Sequence, residues 1–494
     1  MKGLPLSAHF AARDAALSVE LPPTPVAAPE LLCLNGSLAE ELGLDPAQLS
    51  GPLLPFLAGN LVSPGSRPLA MAYAGHQFGG WVPQLGDGRA HLLGELSPPA
   101  GGRYELQLKG SGPTPFSRRG DGRAAVGPML REYLISEAMH ALKVPTTRSL
   151  AVLTTGEPVY RERPLPGAIL CRLARSHIRV GSFEYFAAHG NREALSSLVD
   201  HAIESCYPAL QERAPEQRPL ALFHAVLERQ LELVTRWQLV GFIHGVMNSD
   251  NCTLSGETID YGPCAFMDHY DPDQVYSSID HRGRYRYQNQ PSIVCWNLRL
   301  LARAFLAIPE EDEAKRSLFE ALQGAFEQAP EQLKQLFHKG LCEKLALDPA
   351  VEGAAALAEA LLTLMAEERA DFTLSFRVLS ELGDEAGPED ERWWSLFGTR
   401  EAPERWLSEW RTLIAQGGPK GEARRSLLAK RNPAFIPRNH KVEEVLEAAN
   451  EGDIGPFKRL HELLQRPYEE QPDRTEYRAP PRPEEIVRYT FCGT

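Results

Sequence analysis

The sequence predicts an α+β protein with a small antiparallel-sheet lobe followed by a larger, mainly helical lobe. Three observations point there. Between about residues 66 and 165, short apolar runs such as 90–93 and 104–109 alternate with Gly and Pro clusters, the texture of short paired strands. Beyond about residue 190, Leu, Ala and Glu recur at helical spacing, as in 353–368 and 441–450. A polar, Gly/Asn/Asp-rich stretch over 244–263 interrupts those helical patterns and marks loops.

In chain order, residues 1–65 hold Pro-rich turns around short helical patterns and read as an extended N-terminal lead-in. Residues 66–170 form the sheet lobe. One helix interrupts it from Pro128 to Leu142, opened by Pro and followed by Pro145. Residues 171–300 open the helical lobe and carry its polar loops, and 301–494 extend it as a helical C-terminal region. No internal repeat is evident.

Composition narrows the function. Of 494 residues, 43% are hydrophobic and 24% charged, which is ordinary globular usage. The net charge of −13 argues against nucleic acid as a partner, since phosphate backbones are held by surplus Lys and Arg. The eight cysteines are scattered without a C-x-x-C pair, so a zinc ribbon or small disulfide scaffold is not expected. No stretch approaches the roughly 18 apolar residues of a membrane span, and the first residues lack the apolar core of a secretion signal. A cytoplasmic, monomeric protein is the expectation.

One loop carries the chemistry. Kinases use H-x-D-x-x-x-x-N, in which Asp receives the acceptor's proton and Asn holds a metal ion, with a second metal Asp in D-F-G. Here His244 and Asn251 stand at that spacing, and Asp260-Tyr261-Gly262 follows nine residues after Asn251. The metal-type residues are therefore kept on what reads as a protein kinase-like bilobal fold. The base is not, because its position is Val246. A carboxylate, Asp250, stands instead directly before the Asn, where it can face an acceptor hydroxyl while Asn251 and Asp260 share Mg²⁺.

Around it lie groups suited to phosphate. Gly86-Asp87-Gly88-Arg89 precedes a strand-like run and reads either as a phosphate-covering turn or as a plain hairpin. Lys109 ends a strand-like run, as the ATP-site Lys of kinases does, and the next helix offers Glu132 or Glu137 as its partner. Glu137 falls near the Leu130/Leu134/Ala138 stripe and Glu132 on the opposite face, so periodicity does not choose between them. Residues 110–123 form a Gly/Arg-rich insertion. Arg172, Arg175, His177 and Arg179 then concentrate basic groups in an acidic chain, as a phosphate clamp would.

These residues carry a resemblance to a known family. The stretches 74–79 (AGHQFG), 108–114 (LKGSGPT), 176–181 (SHIRVG), 244–248 (HGVMN), 258–263 (TIDYGP) and 432–439 (NPAFIPRN) are similar to those of the selenoprotein O (YdiU-like) family of pseudokinase-fold protein adenylyltransferases. The resemblance covers nearly the whole chain. It implies a nucleotide bound in reversed orientation, so that its α-phosphate meets the acceptor. It also implies AMP transfer from ATP with Mg²⁺ to Ser, Thr or Tyr hydroxyls of proteins, the chain itself included, with UMP transfer from UTP and Mn²⁺ as a variant.

Carried over by motif, Gly86, Gly88, Arg89, Lys109, Asp121, Gly122, Arg172, Arg179 and Asp260 resemble the nucleotide contacts, and Glu132 the partner of Lys109. Asp250 resembles the proton acceptor, with Asn251 and Asp260 as the metal ligands. An ordinary phosphotransferase and a non-catalytic nucleotide-binding scaffold are the alternative readings. Three departures from the family pattern stand out. Cys264-Ala265 replaces the usual Phe-Gly after Tyr-Gly-Pro, Cys492 lacks a second C-terminal Cys, and no Cys occurs over 275–278 to bridge to it. A local redox pair is therefore not expected, and Cys264 reads as a packed thiol.

Overall fold

The computed structural model describes residues 3–491 and is α+β. Its strands are β1 (Ser18–Glu20), β2 (Glu30–Leu34), β3 (Leu69–Met71), β4 (Gly75–Gln77), β5 (Gly80–Val82), β6 (Ala90–Leu96) and β7 (Tyr104–Lys109). They continue with β8 (Ala124–Ala125), β9 (Arg148–Tyr160), β10 (Pro164–Ala174), β11 (Phe242–Ile243) and β12 (Ala265–Phe266). The main sheet runs β1-β3-β6-β7-β10-β9-β2, with β8 joined to β10, and its pairings are antiparallel. β4–β5 and β11–β12 form two small hairpin-like pairs apart from it.

Residues read as a lead-in are built into this sheet. β1 and β2 pair at its two edges, and the short helices α1 (Gly36–Glu41), α2 (Pro46–Leu49) and α3 (Leu54–Leu57) cover one face. Strands of three to five residues between prolines are too short to show period-2 patterning, so the sequence hides them. Leu38, Leu49 and Phe56 pack there against Leu106, Leu108, Ile169 and Leu173. By strand alternation, Gln107, Lys109 and Arg172 then point to the opposite face.

That opposite face is covered by α4 (Val126–Ala141), with Pro128 in its first turn, where a missing N–H costs nothing. After β9 and β10 come α5 (Val180–Ala188), α6 (Arg192–Cys206) and α7 (Arg218–Leu239), then the loops that carry β11 and β12, then α8 (Gln290–Phe305) and the long α9 (Asp312–Lys344). After these come α10 (Ala354–Glu368), α11 (Phe372–Arg377), α12 (Asp390–Trp394), α13 (Glu401–Ala415), α14 (Gly421–Arg431), α15 (Asn439–Asn450) and α16 (Gly455–Leu464). Their core is continuous with that of α4, because Leu130 and Leu134 share a cluster with Leu231, Leu298, Val445 and Phe457. A second cluster under α10 and α13 is built around Trp393, Trp406 and Trp410, with ring centroids 5.1 Å and 6.4 Å apart in succession.

Lys344, at the end of α9, is buried in that second region. Its ammonium lies 4.3 Å from the Phe376 ring, and burial lowers the amine to about 7 with no carboxylate counter-charge. An amine whose pKa is depressed in the folded state binds fewer protons than the unfolded chain between pH about 7 and 10.5, so its contribution to stability rises with pH across that window. Lys344→Met should therefore stabilise most below pH 7. Urea unfolding should show a gain at pH 6 larger than that at pH 9 by about 2–3 kcal/mol.

Candidate functional site

A cavity of about 820 Å³ opens between the sheet face beside α4 and the loops that lead into the helical part. It is lined by the residues carried over from the family motifs, Gly86, Gly88, Arg89, Lys109, Asp121, Gly122, Glu132, Arg172, Arg179, Asp250, Asn251 and Asp260, whereas Glu137, Arg175, His177 and His244 lie outside it. Its volume lies within the range of small-ligand sites.

At the base sits an ionic cluster. Asp260 has a left-handed backbone (φ 63°), a conformation Asp tolerates better than most residues. Its Oδ1 accepts from Lys109 Nζ at 2.5 Å and Arg172 Nη1 at 2.8 Å, and its Oδ2 from Arg179 Nη1 at 3.0 Å. Burial works against ionisation, yet the charges of Lys109, Arg172 and Arg179 outweigh it and hold the carboxyl well below the usual range. Glu132 completes the cluster, accepting from Lys109 Nζ at 2.5 Å and Arg172 Nη1 at 2.8 Å.

Glu137, the other candidate partner of Lys109, is equally buried but faces elsewhere. It binds Arg148 at 2.8 Å, Asn35 Nδ2 at 2.7 Å and the Ser149 N–H at 2.8 Å. Periodicity could not separate the two because α4 is enclosed on both faces, each with its own buried acid.

The cradle above the cluster is built from close backbone contacts. The 110–123 insertion folds down onto the 86–88 turn, where Thr114 Oγ1 donates to Asp87 O at 2.7 Å and Ser117 Oγ to Gly88 O. A Cβ at Gly86 would lie 2.4 Å from the Phe116 ring, and one at Gly88 2.8 Å from Phe116 O, so both positions require glycine. Arg89 is half-buried in the wall. Asp121 is exposed at the mouth, paired with Arg161 at 2.8 Å.

Two residues were not legible from the sequence, Asp87 in the cavity wall and Gln107 behind it. Asp87 is buried, with Oδ2 accepting from the Met71 N–H and from Gln107 Nε2, both at 3.1 Å, and burial pushes its carboxyl up. Gln107 Oε1 in turn accepts from Arg172 Nε at 2.9 Å, a direct cross-strand pair. Only the β7–β10 register brings these together, and no local motif signals it.

The loop 244–251 and the segment beginning at Asp260 are tied to each other. His244 Nε2 donates to Ile259 O at 2.9 Å and its Nδ1 accepts the Val246 N–H, while Asn251 Nδ2 donates to Val246 O at 2.9 Å. Asn251 Oδ1 accepts no hydrogen bond among the described residues. Among the described residues no group of three or more His, Cys, Asp or Glu side chains could hold a metal. A cation here would thus rest on Asn251 Oδ1 and Asp260 with phosphate and water oxygens, a hard-oxygen set that fits Mg²⁺.

Asp250 lies beside this cluster with a different character. Its Oδ2 accepts from Gln77 Nε2 at 3.2 Å, its Oδ1 is buried without a partner, and burial raises its carboxyl to about 6. Cys264 is packed, its thiol pushed up to about 12 by burial, and Cys492 lies outside the described residues.

Fold and cavity together define an α+β protein with a cationic cleft between sheet and helices. The particular family follows from comparison. The family described as "Protein adenylyltransferase SelO" matches residues 4–465. A protein named "Protein nucleotidyltransferase YdiU" from Rhizobium etli (strain CIAT 652) is 54% identical over 475 residues, covering 96% of this chain and 94% of that protein. Proteins of the same name from Rhodopseudomonas palustris (strain BisB18) and Bradyrhizobium sp. (strain ORS 278) are 52% and 54% identical, covering 99% and 96% of this chain and 99% and 95% of theirs. This chain belongs to the SelO protein adenylyltransferase family.

Removing one partner of a fully buried ion pair strands the other charge. Glu137→Ala should therefore cost about 3 kcal/mol in urea unfolding, because Arg148 loses its counter-charge. Nucleotide affinity of the folded fraction should match the parent, since Glu137 does not line the cavity.

Proposed function

We propose that this chain transfers AMP from ATP to Ser, Thr or Tyr hydroxyls of proteins, its own included, and releases pyrophosphate; UTP with Mn²⁺ is a variant donor. The scaffold is read as kinase-like and bilobal. Residues 66–170, with β1 and β2 at the edges of their sheet, form the nucleotide lobe, 171–300 the lobe carrying the metal and catalytic loops, and 301–494 a helical C-terminal region. A monomer working in the cytoplasm suits this reading, and no helix among the described residues is long and apolar enough to cross a membrane.

One observation carries the proposal. A buried carboxylate that binds no side-chain cation, Asp250, shares a cavity with a carboxylate gripped by three cations, Asp260. Two acids in such different surroundings suit two different tasks.

Asp250, whose affinity for a proton is raised, is the group that takes the proton from the acceptor hydroxyl. The hydroxyl oxygen attacks the α-phosphorus, a new P–O bond forms, the bond to the β-phosphate bridge breaks, and pyrophosphate leaves. Lys109, Arg172 and Arg179 stabilise the charge that develops on it. Asn251 and Asp260 would hold Mg²⁺, which when bound supplies further neutralisation of the phosphate oxygens. The Gly86–Gly88 turn shapes the cradle, Arg89 and Gly122 close its wall, Asp121 orders the mouth through Arg161, and Glu132 keeps Lys109 and Arg172 in place.

ATP labelled on the α- or γ-phosphate, incubated with the enzyme and a protein acceptor, tests this. Label from the α position alone is expected. Label from the γ position alone would make the protein a kinase, and no label from either points to a scaffold or to an acceptor that is not its substrate. Asp260→Ala should abolish transfer. Lys109→Ala should lower kcat/KM at least about tenfold, equivalent to about 1.4 kcal/mol, measured by initial rates over a range of ATP concentrations.

A further inference from the structure

The motif at 74–79 has no role in the account so far, although it reaches directly into the catalytic loop. Three consecutive residues of the β4–β5 pair and its turn each bind one of three consecutive loop residues. The His76 N–H donates to Ser249 Oγ at 2.8 Å, Gln77 Nε2 to Asp250 Oδ2 at 3.2 Å, and the Phe78 N–H to Asn248 Oδ1 at 3.1 Å. Phe78 holds a left-handed backbone (φ 51°), uncommon for a bulky residue, and its N–H also donates to Tyr285 OH at 3.1 Å. His76 is anchored from behind by Glu184 at 2.5 Å. The turn is thus fixed at every residue that touches the loop.

The fit around Asp250 is specific. A Cβ at Gly75 would lie 2.4 Å from Asp250 Oδ1, so glycine there is what lets the carboxylate pack against the strand. Oδ1 is sealed there without a hydrogen bond, and among the described residues Gln77 is the only side chain that donates to the carboxylate. Two otherwise free torsions of Asp250 are therefore set by one strand and one amide.

We propose that Gln77 is a positioning residue for the proton-accepting step: its amide N–H holds Asp250 Oδ2 so that the second lone pair of that oxygen meets the acceptor hydroxyl. This rests on the reading of Asp250 as proton acceptor. The acceptor oxygen forms its bond to the α-phosphorus while its proton passes to Oδ2, and the Gln77 amide keeps both of its own protons throughout. Both Gln77 and Asp250 line the cavity, so the bond sits at the place where acceptor and nucleotide meet.

A double-mutant cycle tests the idea, using α-labelled ATP and a protein acceptor. Gln77→Met keeps the length and packing of the side chain but removes the donor, and should lower kcat about tenfold to a hundredfold. KM for ATP and the thermal unfolding temperature should stay close to the parent. Gln77→Glu, which sets a carboxylate against a carboxylate, should be at least as slow. In the Asp250→Ala background, Gln77→Met should cause no further loss, because the group it positions is gone. Full kcat in Gln77→Met, or an undiminished further loss in the Asp250→Ala background, would overturn the proposal. Parental activity in Asp250→Ala alone would instead remove the reading of Asp250, and the positioning role with it.

Discussion

The Asp260 carboxylate, bound at once by Lys109, Arg172 and Arg179, is the constraint from which the site follows. Each cation arrives on a different element: Lys109 at the end of β7, Arg172 within β10, and Arg179 at the start of α5. Any one of these charges, buried alone, would carry a desolvation penalty of several kcal/mol. Together they close a network in which three cations face three carboxylates: Asp260, Glu132 and, 3.8 Å from Arg179, Asp87. The cluster itself is balanced, and it is over the whole cavity lining, with Arg89, Arg118, Arg123, Arg161 and Arg163 added, that Lys and Arg outnumber Asp and Glu, the electrostatic condition for receiving a polyphosphate. Asp260 serves these cations as an internal anion and keeps their donors converged on one point.

Holding that carboxylate in place takes residues far away in the chain. Arg131 on α4 donates to the carbonyls of Gly262 and Cys264 at 2.9 Å and 2.7 Å, just after Asp260. Asn439, at the start of α15, pairs with both the N–H and the C=O of Phe266 at 3.2 Å and 2.7 Å, as a neighbouring strand would along β12. Arg438 bridges Asp268 and Asp371 at 2.9 Å and 2.7 Å. The C-terminal stretch 432–439 therefore has a physical task. It supplies the missing edge of a two-strand pair whose loops carry the chemistry.

Much of the site was legible because it is local. The His244–Asn251 spacing and Asp260-Tyr261-Gly262 lie within one short segment, and Lys109 declares itself by closing an apolar run. The antiparallel texture of the sheet was readable for the same reason. What stayed hidden depends on pairing at a distance. Gln107 meets Arg172 only through the β7–β10 register, Asp87 meets Gln107 only across the sheet face, and Gln77 meets Asp250 only because a hairpin crosses to the catalytic loop. Burial was the other blind spot. Residues 1–65 were too rich in proline and too short in their runs to reveal two edge strands, and α4 was too thoroughly enclosed for its polar positions to mark an outer face.

The enclosure of α4 also bears on how such a protein can be controlled. In protein kinases, activity is set partly by whether the helix bearing the Lys-binding Glu is in position. Here that helix carries Glu132 toward Lys109 on one side and Glu137 toward Arg148 on the other, and Arg131 is bonded to the segment after Asp260. A swing or a rotation that released Glu137 would leave Arg148 with only the exposed Glu41 at 3.8 Å, and one that released Glu132 would leave Lys109 and Arg172 to share Asp260. The helix is pinned on three sides, a keystone and not a lever.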